Sequence, residues 1–282
     1  MKFLKLLPLL LITNLFAADK EFGGKFLVDH VANSRVWHLP FYNLHLDQFS
    51  FIIAGIDVGL SLHVIMIMLA SLACLTVILI SAKRSNHLPV SKLGHAIEAM
   101  VLFIRDDIVV PNLGKKHAAK WMPFVLTLFF FLLFLNLLGL VPYMATASSN
   151  INFTVAMALM TFVVFNISGI IHNGPFSYVK NLAPHGVPAP VLIILYPIEI
   201  IGLLTKSSAL AIRMFANLSA GHFIIFSLLG LITVFKTLYF VPVFVGFALF
   251  IWCLELMVAF LQAYVFTLLT TLFIGSAINQ DH

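Results

Sequence analysis

From Leu60 onward the sequence is a succession of apolar runs. The last two, Val191 to Phe235 and Thr237 to Ile278, are each about twice the ~20 residues that a perpendicular bilayer crossing needs. Only Lys236 and Thr237 mark their junction, so the two runs must fold back on each other as an antiparallel helical hairpin. Each helix is then steeply tilted or broken, with Pro197, Gly202, Gly221, Gly230 and Gly246 as places to bend. Upstream, Leu60 to Ala82, Met122 to Val141 and Ile151 to Ile171 supply three crossings of ordinary length. A chain that is 61% hydrophobic and 10% charged carries more apolar surface than a soluble domain can bury. The fold class is an all-α membrane protein with about five transmembrane helices.

The connection Lys83 to Trp121 fixes the orientation. It holds Lys83, Arg84, Lys92, Arg105, Lys115, Lys116 and Lys120 against Glu98, Asp106 and Asp107. By the positive-inside rule it is cytoplasmic, which puts the N-terminal segment outside and the tail Asn279 to His282 inside. The same crowding explains the formal charge of +5 by topology, without nucleic acid as a partner. Within this connection Val90, Leu93, Ile97, Met100, Val101, Ile104 and Ile108 recur at helical spacing between Pro89 and Pro111, predicting an amphipathic helix on the membrane surface.

Residues 1–18 read as a secretory signal, with Lys2 and Lys5, a short apolar stretch, then Ala17 and Ala18. Residues 19–59 form an external aromatic segment, and 60–282 the membrane domain with its hairpin at 191–278. His30, His38 and His45 have the wrong spacing for a compact metal site. Cys74 and Cys253 each lie in an apolar run and are expected to be buried small hydrophobes. No glycine-rich phosphate loop or metal motif is evident, so neither a cofactor nor an enzymatic reaction is expected of the chain itself.

Arg213 stands near the middle of the first long run, within TKSSALAIRMFANL (Thr205 to Leu218). A guanidinium stays charged inside a protein. Placing one at bilayer depth costs roughly 3 kcal/mol on insertion scales and roughly 10 or more in simulations. Too far from either end to snorkel, it must face protein or water, and it marks a functional site. Glu199, Lys206 and Arg213 lie seven apart and share a stripe that drifts about 20° per step, with Asn217 four residues further on. Ser208, Ala209, Ala216 and Ala220 flank that stripe. Small residues suit the close approach of another helix, although tight packing within the chain gives the same pattern.

His222, nine residues beyond Arg213, points to the opposite side. In the second long run Glu255 and Gln262 lie seven apart. Arg213 with Gln262, and His222 with Glu255, fall into nearly one antiparallel register. The first pair joins a fixed charge to a neutral hydrogen-bonding group; the second combines two titratable groups suited to a proton relay. A permanent cation between Glu199 on one side and His222 with Glu255 on the other repels a passing proton. The row is therefore no continuous wire. It suits two half-paths whose cargo changes carrier at the centre.

Four stretches together resemble subunit a of the F-type ATP synthase, over roughly Leu60 to the C-terminus. They are LLTKSSALAIRMFANLSAGH around Arg213, ELMVAFLQAYVFTLLTTLFI around Gln262, LNLLGLVPY from Leu135 and TASSNINFT from Thr146. The resemblance implies that Arg213 faces a ring of c subunits, attracts each ionised ring carboxylate and blocks a proton short-circuit. It implies that Asn217 and Gln262 are polar neighbours of that arginine, and that Glu199 serves the cytoplasmic half-channel. His222 and Glu255 fall where the family places an acid and an imidazole, here with the histidine first. It further implies b-type peripheral stalk subunits and the rest of the ATP synthase as partners, in a bacterial inner membrane. The N-terminal segment is the part least like the family. Two rival readings are a secondary transporter holding an anion at Arg213, and a structural assembly subunit in which Arg213 pairs with Glu199 or Glu255. The transporter predicts an inverted repeat, whereas only one half of this chain carries the polar stripe.

Overall fold

The computed structural model describes residues 36–38, 43–46, 50–53, 56–59, 61–81, 84–85, 88–89, 91–141, 144–180, 189–235 and 238–279. The signal-like stretch 1–18, His30, the junction 236–237 and the tail 280–282 lie outside the described residues. Two short antiparallel hairpins precede the membrane domain: β1 (Val36–His38) with β2 (Asn43–His45), and β3 (Ser50–Ile53) with β4 (Ile56–Gly59). A third pairs β5 (Arg84–Ser85) with β6 (Leu88–Pro89). These strands are too short to alter the fold class.

Everything else with regular structure is helical, and five helices among the described residues are long and apolar enough to cross a membrane. The first is α1 (Leu62–Ser81). Helix α2 (Lys92–Phe103) starts at Ser91, whose hydroxyl accepts the Gly94 amide at 3.0 Å and so caps an open helix end. It does not stop before Pro111. The helical path continues through one π-helical stretch, Ile104–Val109, into α3 (Val110–Gly139). Proline is tolerated in a helix's first turn, where its missing N–H has no partner to lose, so Pro111 marks a start and not an end. The change of direction comes at Gly114, whose φ of 70° a side chain would resist. The expected surface helix thus docks into the protein: Ile104, Ile108 and Val109 are fully buried, and Leu93 alone of the apolar set on α2 stays exposed among those classed by burial.

Helices α4 (Ile151–Asn173) and α5 (Pro175–Lys180) follow. The long hairpin consists of α6 (Ala189–Phe235, 47 residues) and α7 (Val241–Ile278, 38 residues). Both run unbroken. Pro197 lies inside α6 without ending it. At 1.5 Å per residue α6 is about 70 Å long, more than twice the hydrocarbon thickness, so it must lie far from the bilayer normal.

Helix α7 is the centre of the bundle and packs against α3, α4 and α6. Its Ala259 and Ala263 are fully buried one turn apart. With no side chain to hold neighbours off, α3 comes close enough for Asn136 Nδ2 to donate to the Ala259 carbonyl at 3.2 Å. Cys253, also on α7, is exposed, contrary to expectation; Cys74 is buried as expected. Helix α1 is peripheral and packs against α2, α3 and the α3–α4 connection.

That connection holds a 3-10 turn, Ala147–Ser149, which packs against α1, α3, α4 and α6 together. Residues 145–149 are all buried. A loop buried this way must satisfy its own polar groups. Ser149 Oγ donates to the Thr146 carbonyl at 2.7 Å, and Thr146 Oγ1 to the Gly139 carbonyl at 3.1 Å. Ser148 Oγ donates to Asn136 Oδ1 at 2.9 Å, while Asn150 caps α4 by accepting the Asn152 amide.

Candidate functional site

The polar residues of the hairpin divide into an open half and an enclosed half. The open half is one face of α6. Lys206, Ser208, Ala209, Ile212, Arg213, Ala216, Asn217, Ala220 and Ser227 are all exposed on it at helical spacing. Arg213 makes no hydrogen bond or ion pair with any described residue, and neither do Lys206 and Glu199. The rival in which Arg213 is paired with Glu199 or Glu255 therefore fails on geometry, since Glu255 has another partner.

The inward side of the same helix presents Leu210, Met214 and Leu218, all fully buried against the core. Arg213 thus sits one step from a close-packed face yet points away from it. A bare guanidinium on a face of small side chains is not a finished structure for lipid to cover.

The enclosed half lies between α6, α7 and the buried turn. His222 Nδ1 is 2.7 Å from Glu255 Oε1, with side-chain exposures of 16% and 4%. The same nitrogen is 3.1 Å from the Leu218 carbonyl. His222 Nε2 is 2.8 Å from Thr146 Oγ1 and 3.2 Å from the Gly139 carbonyl. Both ring nitrogens face oxygen atoms, so the ring can hold a proton on either side. Glu255 fits because residue 221 is glycine: a Cβ there would collide with the carboxylate. Gly221 is therefore a space-maker, not a place to bend.

The remaining pair differs from expectation. Gln262 is buried and accepts not from Arg213 but from Asn217 Nδ2, at 3.5 Å. Burial turns Gln262 toward the interior of the bundle, while Arg213 lies on the outward face of α6. Asn217 joins the two halves: it is exposed beside Arg213 and reaches inward to Gln262.

Sequence reasoning missed Thr146, Ser148, Asn136 and Gly221 as parts of this arrangement. Asn136 is fully buried and ties the turn to α7 by accepting from Ser148 and donating to Ala259. Trp252 adds a second tie, its Nε1 donating to the Leu140 carbonyl at 3.1 Å. A lone Asn in an apolar span was the available signal, because it needs a partner wherever it is buried. Among the described residues no group of three or more histidine, cysteine or acidic side chains is placed to hold a metal.

Residues 63–275 match the family model of the ATP synthase A chain. A curated relative named ATP synthase subunit a, from Chloroherpeton thalassium, is 45% identical over 263 residues, covering 90% of this chain and 77% of the relative. One of the same name from Myxococcus xanthus is 39% identical over 90% of this chain and 87% of the relative. Another from Anaeromyxobacter dehalogenans is 46% identical over 80% of this chain, which spans 61% of that relative's length.

Proposed function

The chain belongs to the ATP synthase A chain family, and from that premise we propose that it is the static membrane subunit that exchanges protons with a ring of c subunits. It is a multi-pass membrane protein and a component of the ATP synthase. In the proposed role it makes no ATP itself. It works beside the c ring and b-type stalk subunits in a bacterial inner membrane, with its N-terminus outside and its C-terminus in the cytoplasm.

The observation that carries the reading is Arg213, a permanent charge without a partner among the described residues, on a face of alanines and serines. A carboxylate on a passing helix can cross lipid when neutral; once ionised it is expensive there and is drawn to the guanidinium. The small neighbours let its helix come close. On the outer side His222 and Glu255 take protons from the turn end of the bundle and load the ring. On the other side Glu199, further back along α6, receives the proton that the ring carboxylate gives up. Arg213 lies between the two paths and repels a proton that would run straight through. Each proton moved across the membrane is worth about 2.3 kcal/mol per 100 mV, so a leak would waste the gradient. Reversed, the same parts pump protons at the expense of ATP.

Arg213→Ala is expected to abolish both ATP synthesis driven by an imposed proton gradient and ATP-driven acidification of membrane vesicles. Retained coupling in vesicles that carry the assembled variant refutes the role.

A further inference from the structure

His63 is the second residue of α1 and lies at the same end of the bundle as the turn 147–149. It is 4% exposed, and among the described residues neither ring nitrogen has a hydrogen-bond partner. That is unusual: a buried imidazole always carries at least one N–H, and leaving it unpaired costs about 1–3 kcal/mol. No apolar residue of similar size would incur that cost. His63 shares its face of α1 with Met66 and Ala70, which pack in one cluster with Ala145 and Ala147 of the turn region. The turn itself touches both α1 and α6. On its α6 side Thr146 reaches His222. One buried and one half-buried imidazole therefore flank one buried, hydroxyl-rich turn, and only the half-buried His222 has its hydrogen bonds made.

We propose that His63 is the outermost titratable step of the outer proton path, exchanging protons between water at that end of the bundle and the turn hydroxyls that lead to His222. The inference rests on the proton-path reading given above and adds a residue to it. In each passage one ring nitrogen takes a proton from water and the other releases one toward Thr146, Ser148 and Ser149. The ring is left as its other tautomer, and a flip restores it. No net charge accumulates. The cluster on this face of α1 is apolar, with Leu135 and Leu138 from α3, Ala145 and Ala147 from the turn region, and Trp37 and Leu46 from the first hairpin, whose titratable groups are His38 and His45. The titratable groups on the far side of the turn are His222 and Glu255. Helix α2, which starts from the opposite end of α1, carries Lys92, His95 and Glu98.

The test uses membrane vesicles with the complete complex, ATP synthesis driven by an imposed gradient, and rates normalised to assembled complex. His63→Gln keeps hydrogen bonding and approximate volume but cannot pass a proton by changing protonation state. It is expected to lower the rate about tenfold and to flatten its dependence on the pH of the outer side. His63→Leu is expected to fall at least as far, and where it fails to assemble, His63→Gln decides. A wild-type rate and pH profile per assembled complex in His63→Gln overturns the inference, including when only the amount of complex falls. His222→Gln in parallel separates the two levels. Loss there without loss at position 63 removes His63 alone from the path; wild-type behaviour in both removes the path.

Discussion

The two sides of α6 are built on opposite rules. Around Arg213 the helix presents a charge, alanines and serines to the outside, and no described residue of the chain closes over them. Around His222 the helix is enclosed by α7 and the turn: Glu255 lies against one ring nitrogen, and the Thr146 hydroxyl, itself bonded to the Gly139 carbonyl, lies against the other. The difference follows from what each group must do in the proposed mechanism. A fixed charge that meets a succession of moving partners must stay uncovered. A titratable pair that hands over protons must be held at hydrogen-bond distance, because proton transfer fails over longer gaps. Asn217 is the link, exposed on one side and bonded to buried Gln262 on the other.

After Arg213→Ala, the largest effect should come from disturbing the enclosed side. Gly221→Ala sets a methyl group against the Glu255 carboxylate. Overpacking of this kind costs about 1–3 kcal/mol and displaces the acid from His222. Proton-driven ATP synthesis should fall by more than about tenfold, with a lower melting temperature for the detergent-extracted complex. Wild-type rates would mean that the pair needs no fixed geometry, and the contrast between the two sides would break. A smaller effect of a different kind is expected on the open side. Ala216→Leu adds bulk where the chain itself has nothing to clash with, so its own stability should change by less than about 0.5 kcal/mol. If a partner helix presses against that face, coupling should drop several-fold while this chain still inserts at wild-type levels, as read by quantitative blotting beside vesicle acidification. Unchanged coupling would show that no helix approaches closely there.

How far each side could be read from sequence also differs. The five spans and the long hairpin were legible because apolar run length is set by the bilayer, and Arg213 because charge in such a run is costly. The contact of His222 with Glu255 was legible from antiparallel register. Its surroundings were not. The stretch Thr146 to Asn150 looks like any short polar turn, and only packing by four helices makes it interior. Gly221 looks like a flexible point, and only the position of Glu255 shows that it provides room. The register placed Gln262 opposite Arg213, whereas it bonds to Asn217 one turn further on, because register says nothing of which way a side chain turns. The extension of α2 through Ile104–Val109 into α3 was hidden by Pro111, read as a stop where it begins a helix.

The smallest effect should come from the contact between turn and imidazole. Thr146→Val keeps the shape and removes one hydroxyl, which leaves His222 Nε2 with only the Gly139 carbonyl at 3.2 Å. One neutral hydrogen bond is worth about 1 kcal/mol, so a rate effect of about fivefold is expected if the bond positions the ring for proton transfer. Thr146→Ser restores the hydroxyl and should recover most of the rate. Recovery distinguishes a hydrogen-bonding role from a packing role, because Ser lacks the methyl group that Val keeps. If Val behaves as wild type and Ser does not, the turn matters here as filler, and the enclosed half consists of His222 and Glu255 alone.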